Sequence, residues 1–172
     1  MTLQEYTHNL PEDRQFKLAV KLTKLALPIW DNYADKNDLT YRDTVVGMHH
    51  SVDRKLLLNT INAIEEYLNL NRLKKLFDGK SKLLELSGQF DDPVVALQDM
   101  DWELPDEVLK TFYSVHNMLD TLVGKEQTVF GDSTIYVSIN QAIDALETSK
   151  SLSSAEIKMI LAEIKSSPGE NL

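Results

Sequence analysis

The chain contains no cysteine. Disulfides, thiolate metal sites and thiol nucleophiles are therefore excluded. Glycine and proline are scarce, at 6 and 5 of 172 residues, and no low-complexity linker or internal repeat is present. No run of about 18 apolar residues occurs, so no membrane-spanning helix is expected. The opening residues, Met1 to Glu5, show no basic stretch leading into an apolar one, so no secretion signal is expected and the reading is of a cytoplasmic protein. What is present is ordinary for a folded protein: 42% hydrophobic and 26% charged residues, which argues against wholesale disorder. The expectation is a single domain over residues 1–172, with frayed tails at 1–9 and 166–172.

Positive charge is also in deficit, with 18 Lys and Arg against 27 Asp and Glu, a net charge of −9. The excess is local. Residues 83–109 hold eight acids and no Lys or Arg, and the rest of the chain together carries −1. Just upstream lie Arg72, Lys74, Lys75, Lys80 and Lys82 against a single acid, Asp78. An acidic surface repels nucleic-acid phosphates and anionic lipid heads, so neither nucleic acid nor membrane is an expected partner. It attracts a basic protein and speeds the encounter at low salt. The bland alternative is that the two segments fold back on each other, or that the acids are simply solvated.

Periodicity predicts helices. Over 11–34, Leu18, Leu22, Leu25 and Ile29 step by 4, 3 and 4, with a second row of Phe16, Val20, Leu27 and Trp30. So wide an apolar arc places this helix centrally, with Pro28 expected to kink or split it. Residues 38–52 show no helical period and read as a connection. Leu57, Ile61, Ile64 and Leu68 mark a helix over 53–69 that Asp53 or Ser51 can cap. A weaker helix covers 72–86, interrupted or bent near Gly79, and a short one, capped by Asp92 and opened by Pro93, covers 93–100. Pro105 opens the strongest pattern, 105–123, with Val108, Phe112, Val115, Leu119 and Leu122 on one stripe and Gly124 as its stop. Residues 134–137 are β-prone but lack a partner. Ser138 with Gln141 and Ser153 with Glu156 form two capping boxes that open the last two helices. The sum is an all-α single-domain helical bundle of six or seven helices with short antiparallel connections.

Few motifs suggest chemistry. His49, His50 and Asp53 are the most suggestive cluster. If the following helix extends backward, His49 and Asp53 share a face at i and i+4, a donor set that suits a divalent transition metal in a hydrolase site. Further ligands would have to come from elsewhere, and loop histidines capping the helix are the simpler account. His116 beside the Phe112–Leu119 row reads as a core-edge histidine with one satisfied nitrogen. Asp99-Met100-Asp101 begins like a calcium loop but places Leu104 where glycine is needed and Lys110 where a bidentate Glu is needed. Ser133 lacks a nucleophile elbow and reads as a cap or turn residue. No Walker A, G-x-G-x-x-G or H-E-x-x-H pattern occurs.

The segment 91–107 is the feature that points to function. It mixes acids with Val94, Val95, Leu97, Met100 and Trp102. An aromatic anchor within a charged rim has the composition of a recognition patch, here Asp99, Asp101, Trp102, Glu103, Asp106 and Glu107. Alternatively Trp102 tucks into the core and pins the loop. The leading expectation is a non-enzymatic interaction or regulatory protein that binds a basic protein partner through this segment and needs no cofactor. In composition alone it is similar to small acidic helical immunity and regulator proteins of bacteria, which cover a basic partner surface. The alternatives are a metal-dependent hydrolase built on His49, His50 and Asp53, and a helical homodimer of structural role.

Overall fold

The computed structural model describes residues 3–43, 45–72, 79–125 and 133–166. Among these lie seven helices and one two-stranded sheet, in the order α1 (Leu3–His8), α2 (Glu12–Ala34), β1 (Thr40–Arg42), β2 (His49–Ser51), α3 (Leu56–Arg72), α4 (Gly79–Gln98), α5 (Asp106–Val123), α6 (Thr134–Thr148) and α7 (Ser154–Ser166). The all-α bundle is as expected from the sequence. No helix among the described residues is long and apolar enough to cross a membrane.

Helix α2 is the axis. Phe16, Leu18, Ala19, Leu22, Ala26 and Trp30 are all buried along it. Pro28 neither splits nor ends it. Proline removes one helical hydrogen bond, to the carbonyl of Lys24, and both residues lie on the exposed side, where water can take that carbonyl. Helix α5 packs against α2 and α6. It begins after Pro105 and ends on Gly124 at φ 78°, the left-handed stop that glycine adopts without cost.

Four aromatic rings join α2, α4 and α5. Phe112 sits 5.1 Å from Phe90 and 5.8 Å from Trp30, centroid to centroid. Trp102 meets Trp30 and Phe112 edge-on at 6.5 and 6.0 Å. The indole of Trp30 donates to the Arg54 carbonyl at 2.8 Å, so its polar edge is satisfied as its face is buried.

Four expectations are corrected. Residues 38–52 hold a β-hairpin, in which Tyr41 pairs with His50 and Arg42 with His49. Burial alternates along it as a strand requires: Leu39, Tyr41 and Val52 are buried, while Arg42, His49 and Ser51 are exposed. Helices expected over 72–86 and 93–100 are replaced by α4, which runs unbroken through Pro93. Burial of Leu83, Leu86, Phe90 and Ala96 along one face outweighs the lost hydrogen bond. The β-prone residues 134–137 form the first turn of α6, capped by Ser133 and not by Ser138, because Thr134, Ile135 and Tyr136 are all buried there. The supposed tail at the start contains α1, and the Tyr6 hydroxyl donates to the Leu161 carbonyl of α7. The Ser153–Glu156 capping box forms as read, with reciprocal bonds of 3.3 Å (Glu156 N to Ser153 Oγ) and 2.8 Å (Ser153 N to Glu156 Oε2). Residues 73–78, in the middle of the basic segment, lie outside the described residues.

Candidate functional site

The hairpin lies against α4 and opens a cleft of about 130 Å³ between them. Strand alternation positions its walls. Tyr41 and His50 are cross-strand partners whose rings stack at 5.6 Å and 26°, and both turn toward α4. From the other side α4 supplies Asp92, Val95 and Ala96, and Asp99 follows its last residue. One turn of helix separates Asp92 from Val95 and Ala96, and another brings in Asp99, so all four share a face. Asp43 and Val45 from the hairpin turn and Asp101 from beyond α4 complete the lining.

Among the described residues, four aspartates thus line the cleft and no lysine or arginine does. Asp43 also builds the turn: its Oδ1 accepts from the backbone N–H of Val45 at 2.7 Å and of Val46 at 3.2 Å. Asp92 and Asp99 enter no ion pair among the described residues. Tyr41 reports this field. Its hydroxyl is pushed above the usual tyrosine range by burial first, then by the negative charges of Asp92 and Asp43.

Around the cleft stand bare apolar side chains. Of nine large apolar residues exposed among the described residues, two line the cleft, Val45 on the hairpin turn and Val95 on α4, and three more, Val46, Met48 and Met100, lie within three residues of a lining residue in the chain. Val45 is 91% and Met100 80% exposed. Met100 also holds a left-handed backbone at φ 61°, which closes the end of α4 by an Asp101 N–H to Ala96 C=O bond of 2.8 Å. That reversal turns Trp102, two residues on, back into the core.

The expected patch therefore divides. Asp99 and Asp101 line the cleft. Trp102 is 6% exposed and packed on Trp30, Phe112 and Tyr41, so it is a core residue and not a surface anchor, and its part in the patch is withdrawn. Glu103 is exposed outside the cleft lining. Asp106 is tied to Lys110 one turn along α5, at 2.8 Å, and with Glu107 occupies the first turn of that helix. Asp43, Tyr41 and His50 are the residues that the sequence pattern did not nominate for this surface.

The metal cluster is corrected too. His49 and His50 are neighbours on a strand, so their side chains leave opposite faces. Asp53 is not on a helical face with His49, because α3 starts at Leu56 and Asp53 Oδ1 accepts from Lys55 N–H at 2.9 Å in the turn before it. No group of three potential ligands converges among the described residues.

His116 lies elsewhere, on α5. Its Nε2 is 3.3 Å from Asp120 Oδ2 and its ring stands 5.5 Å from Phe90. Burial holds the imidazole below its usual pKa, opposed by the Asp120 and Asp91 carboxylates, and burial raises Asp120. No protein-family model matches the chain, and no curated protein or solved structure is significantly similar to it. The geometry of the site is thus what bears on function.

Proposed function

We propose that the protein is a non-enzymatic interaction protein that binds a basic protein partner through the hairpin turn and the C-terminal half of α4. The observation that carries this reading is the meeting of bare apolar side chains with acids, of which Asp92 and Asp99 enter no ion pair among the described residues. Val45 and Val95 are exposed in the lining of a cleft whose charged groups, among the described residues, are four aspartates, and Val46, Met48 and Met100 are exposed close to lining residues in the chain. Apolar surface supplies affinity once water is excluded, and a one-sign field selects and steers the partner. Glu103, Asp106 and Glu107 lie beyond the cleft lining and extend the field without contributing the contact surface.

The test uses a purified basic protein recovered by its affinity for the native chain. It is titrated against the native chain, an Asp92→Asn/Asp99→Asn variant and a Val45→Ser/Met100→Ser variant. Affinity should fall steeply with added salt, and each variant should lose about tenfold or more. Equal binding by all three proteins overturns the reading.

A further inference from the structure

We propose that the cleft between the hairpin and α4 receives the side chain of one arginine from the basic partner, with an apolar neighbour of that arginine resting on Val45 and Val95. This inference rests on the proposed function and names what the partner must present.

The acids alone would describe a solvated face. What makes the place a docking site is that it is concave, that its floor is Tyr41 and Ala96, and that its apolar lips are left bare. At about 130 Å³ it has room for a long side chain. It has none for a helix, which measures about 10–12 Å across with its side chains. Charge fixes the end of that side chain as cationic. The carboxylates stand on both walls, Asp43 on the hairpin, Asp92 on α4 and Asp99 just after its end.

Arginine suits this arrangement better than lysine. A guanidinium offers five donors in one plane and can reach acceptors on two walls at once, whereas an ammonium is a point charge. Its planar face also lies favourably on stacked rings, which Tyr41 and His50 provide at 5.6 Å. The hairpin's own arginine does not serve. Arg42 alternates away from Tyr41 on the strand and is not part of the cleft lining.

The experiment is a two-dimensional amide NMR titration of the full chain with acetyl-Leu-Arg-Val-amide. The same peptide with citrulline, a neutral isostere, and with lysine are the comparisons. The expected result is shifts centred on Tyr41, His50 and residues 95–99. The citrulline peptide should bind about tenfold or more weakly, and the lysine peptide about threefold or more weakly. Asp92→Asn/Asp99→Asn, checked for an unchanged melting curve, should abolish the shifts. Equal binding of the arginine and citrulline peptides overturns the proposal. So does the absence of any shift by about 10 mM arginine peptide. If the arginine and lysine peptides bind alike with shifts spread over 99–107, the socket is wrong while recognition of a basic partner stands. If, in addition, no purified basic protein binds in a salt-sensitive way, both readings fall.

Discussion

Helix α5 has two long faces, and the fold treats them differently. Toward α6 its polar side chains are matched. Asn117 donates to Gln141 at 2.8 Å, Thr121 meets Thr134 at 2.6 Å, and Ser138 donates to the Ser114 carbonyl at 2.6 Å. Toward α4 the contact is made by rings, Phe90 on Phe112 and on His116. Three buried polar atoms there lack a partner: His116 Nδ1, Asp120 Oδ1 and, one turn before Phe90 on α4, Ser87 Oγ. Matched hydrogen bonds specify one register, because sliding leaves them buried and unmade at about 1–3 kcal/mol each. Ring packing is less exacting about register. The α6 seam therefore fixes the bundle, while α4, held mainly by apolar contact, is the helix that carries Asp92, Val95 and Asp99 to the recognition surface.

The largest expected effect breaks the aromatic side. Trp102→Ala removes the ring shared by Trp30, Phe112 and Tyr41 and should cost about 3–5 kcal/mol, read from denaturant unfolding. Unchanged stability with lost partner binding would return Trp102 to a surface role.

A pair of smaller changes tests the contrast itself. Thr121→Val keeps the shape but strips the buried Thr134 hydroxyl of its partner, at a cost of about 1–3 kcal/mol. Ser87→Ala removes an oxygen that has no partner and should be neutral or slightly stabilising. Equal losses from both would mean that the two faces are not different in kind.

Acidification should separate the faces as well. His116 has a native pKa held below the 6.5 of a free imidazole, by burial. The unfolded chain then takes up a proton first, so this residue's contribution is fully present above about pH 6.5 and is lost as pH falls toward the native value. Asp120 has the opposite sign. Its pKa is raised above 3.8, so the native state protonates first, and the stabilisation it gives in acid is lost as pH rises through the native value. The stability difference between the native chain and His116→Gln should therefore shrink as pH drops below about 6.5. A difference that stays constant from pH 7 to 5 would show that His116 does not titrate differently on unfolding.

Helix α5 was legible almost to the residue, since Pro105, the Val108–Phe112–Val115–Leu119 stripe and Gly124 all point to one answer. His116 was legible as a core-edge histidine, and one nitrogen is indeed satisfied while the other is not. The hairpin was not legible, because strands of three residues give too few alternations to stand out from a loop. Pro93 and the β-prone 134–137 misled for the same reason: local preference is worth about 1–3 kcal/mol, and burial along α4 and α6 outweighs it. The site was half visible. Asp99 and Asp101 announced themselves as charge, but Asp43, Tyr41 and His50 come from about fifty residues away, and only the packing of the hairpin on α4 unites them.

The smallest effect is the sharpest on function. Helices α4 and α6 end alike. Met100 at φ 61° and Lys150 at φ 57° each hold a left-handed residue, spanned by bonds from Asp101 N–H to Ala96 C=O and from Ser151 N–H to Leu146 C=O. A side chain in that conformation costs about 1–2 kcal/mol, and glycine relieves it while adding freedom to the unfolded chain. Met100→Gly and Lys150→Gly should therefore each raise stability by about 1 kcal/mol or less, measured by thermal melting. The two part company in binding. Met100 is the exposed residue between Asp99 and Asp101, which line the cleft, so its loss should weaken binding of the basic partner, whereas Lys150 has no lining residue beside it in the chain. Equal stabilisation with binding lost only at Met100 would show that the strained methionine is kept for its exposed side chain. Equal binding by both variants would remove Met100 from the interface.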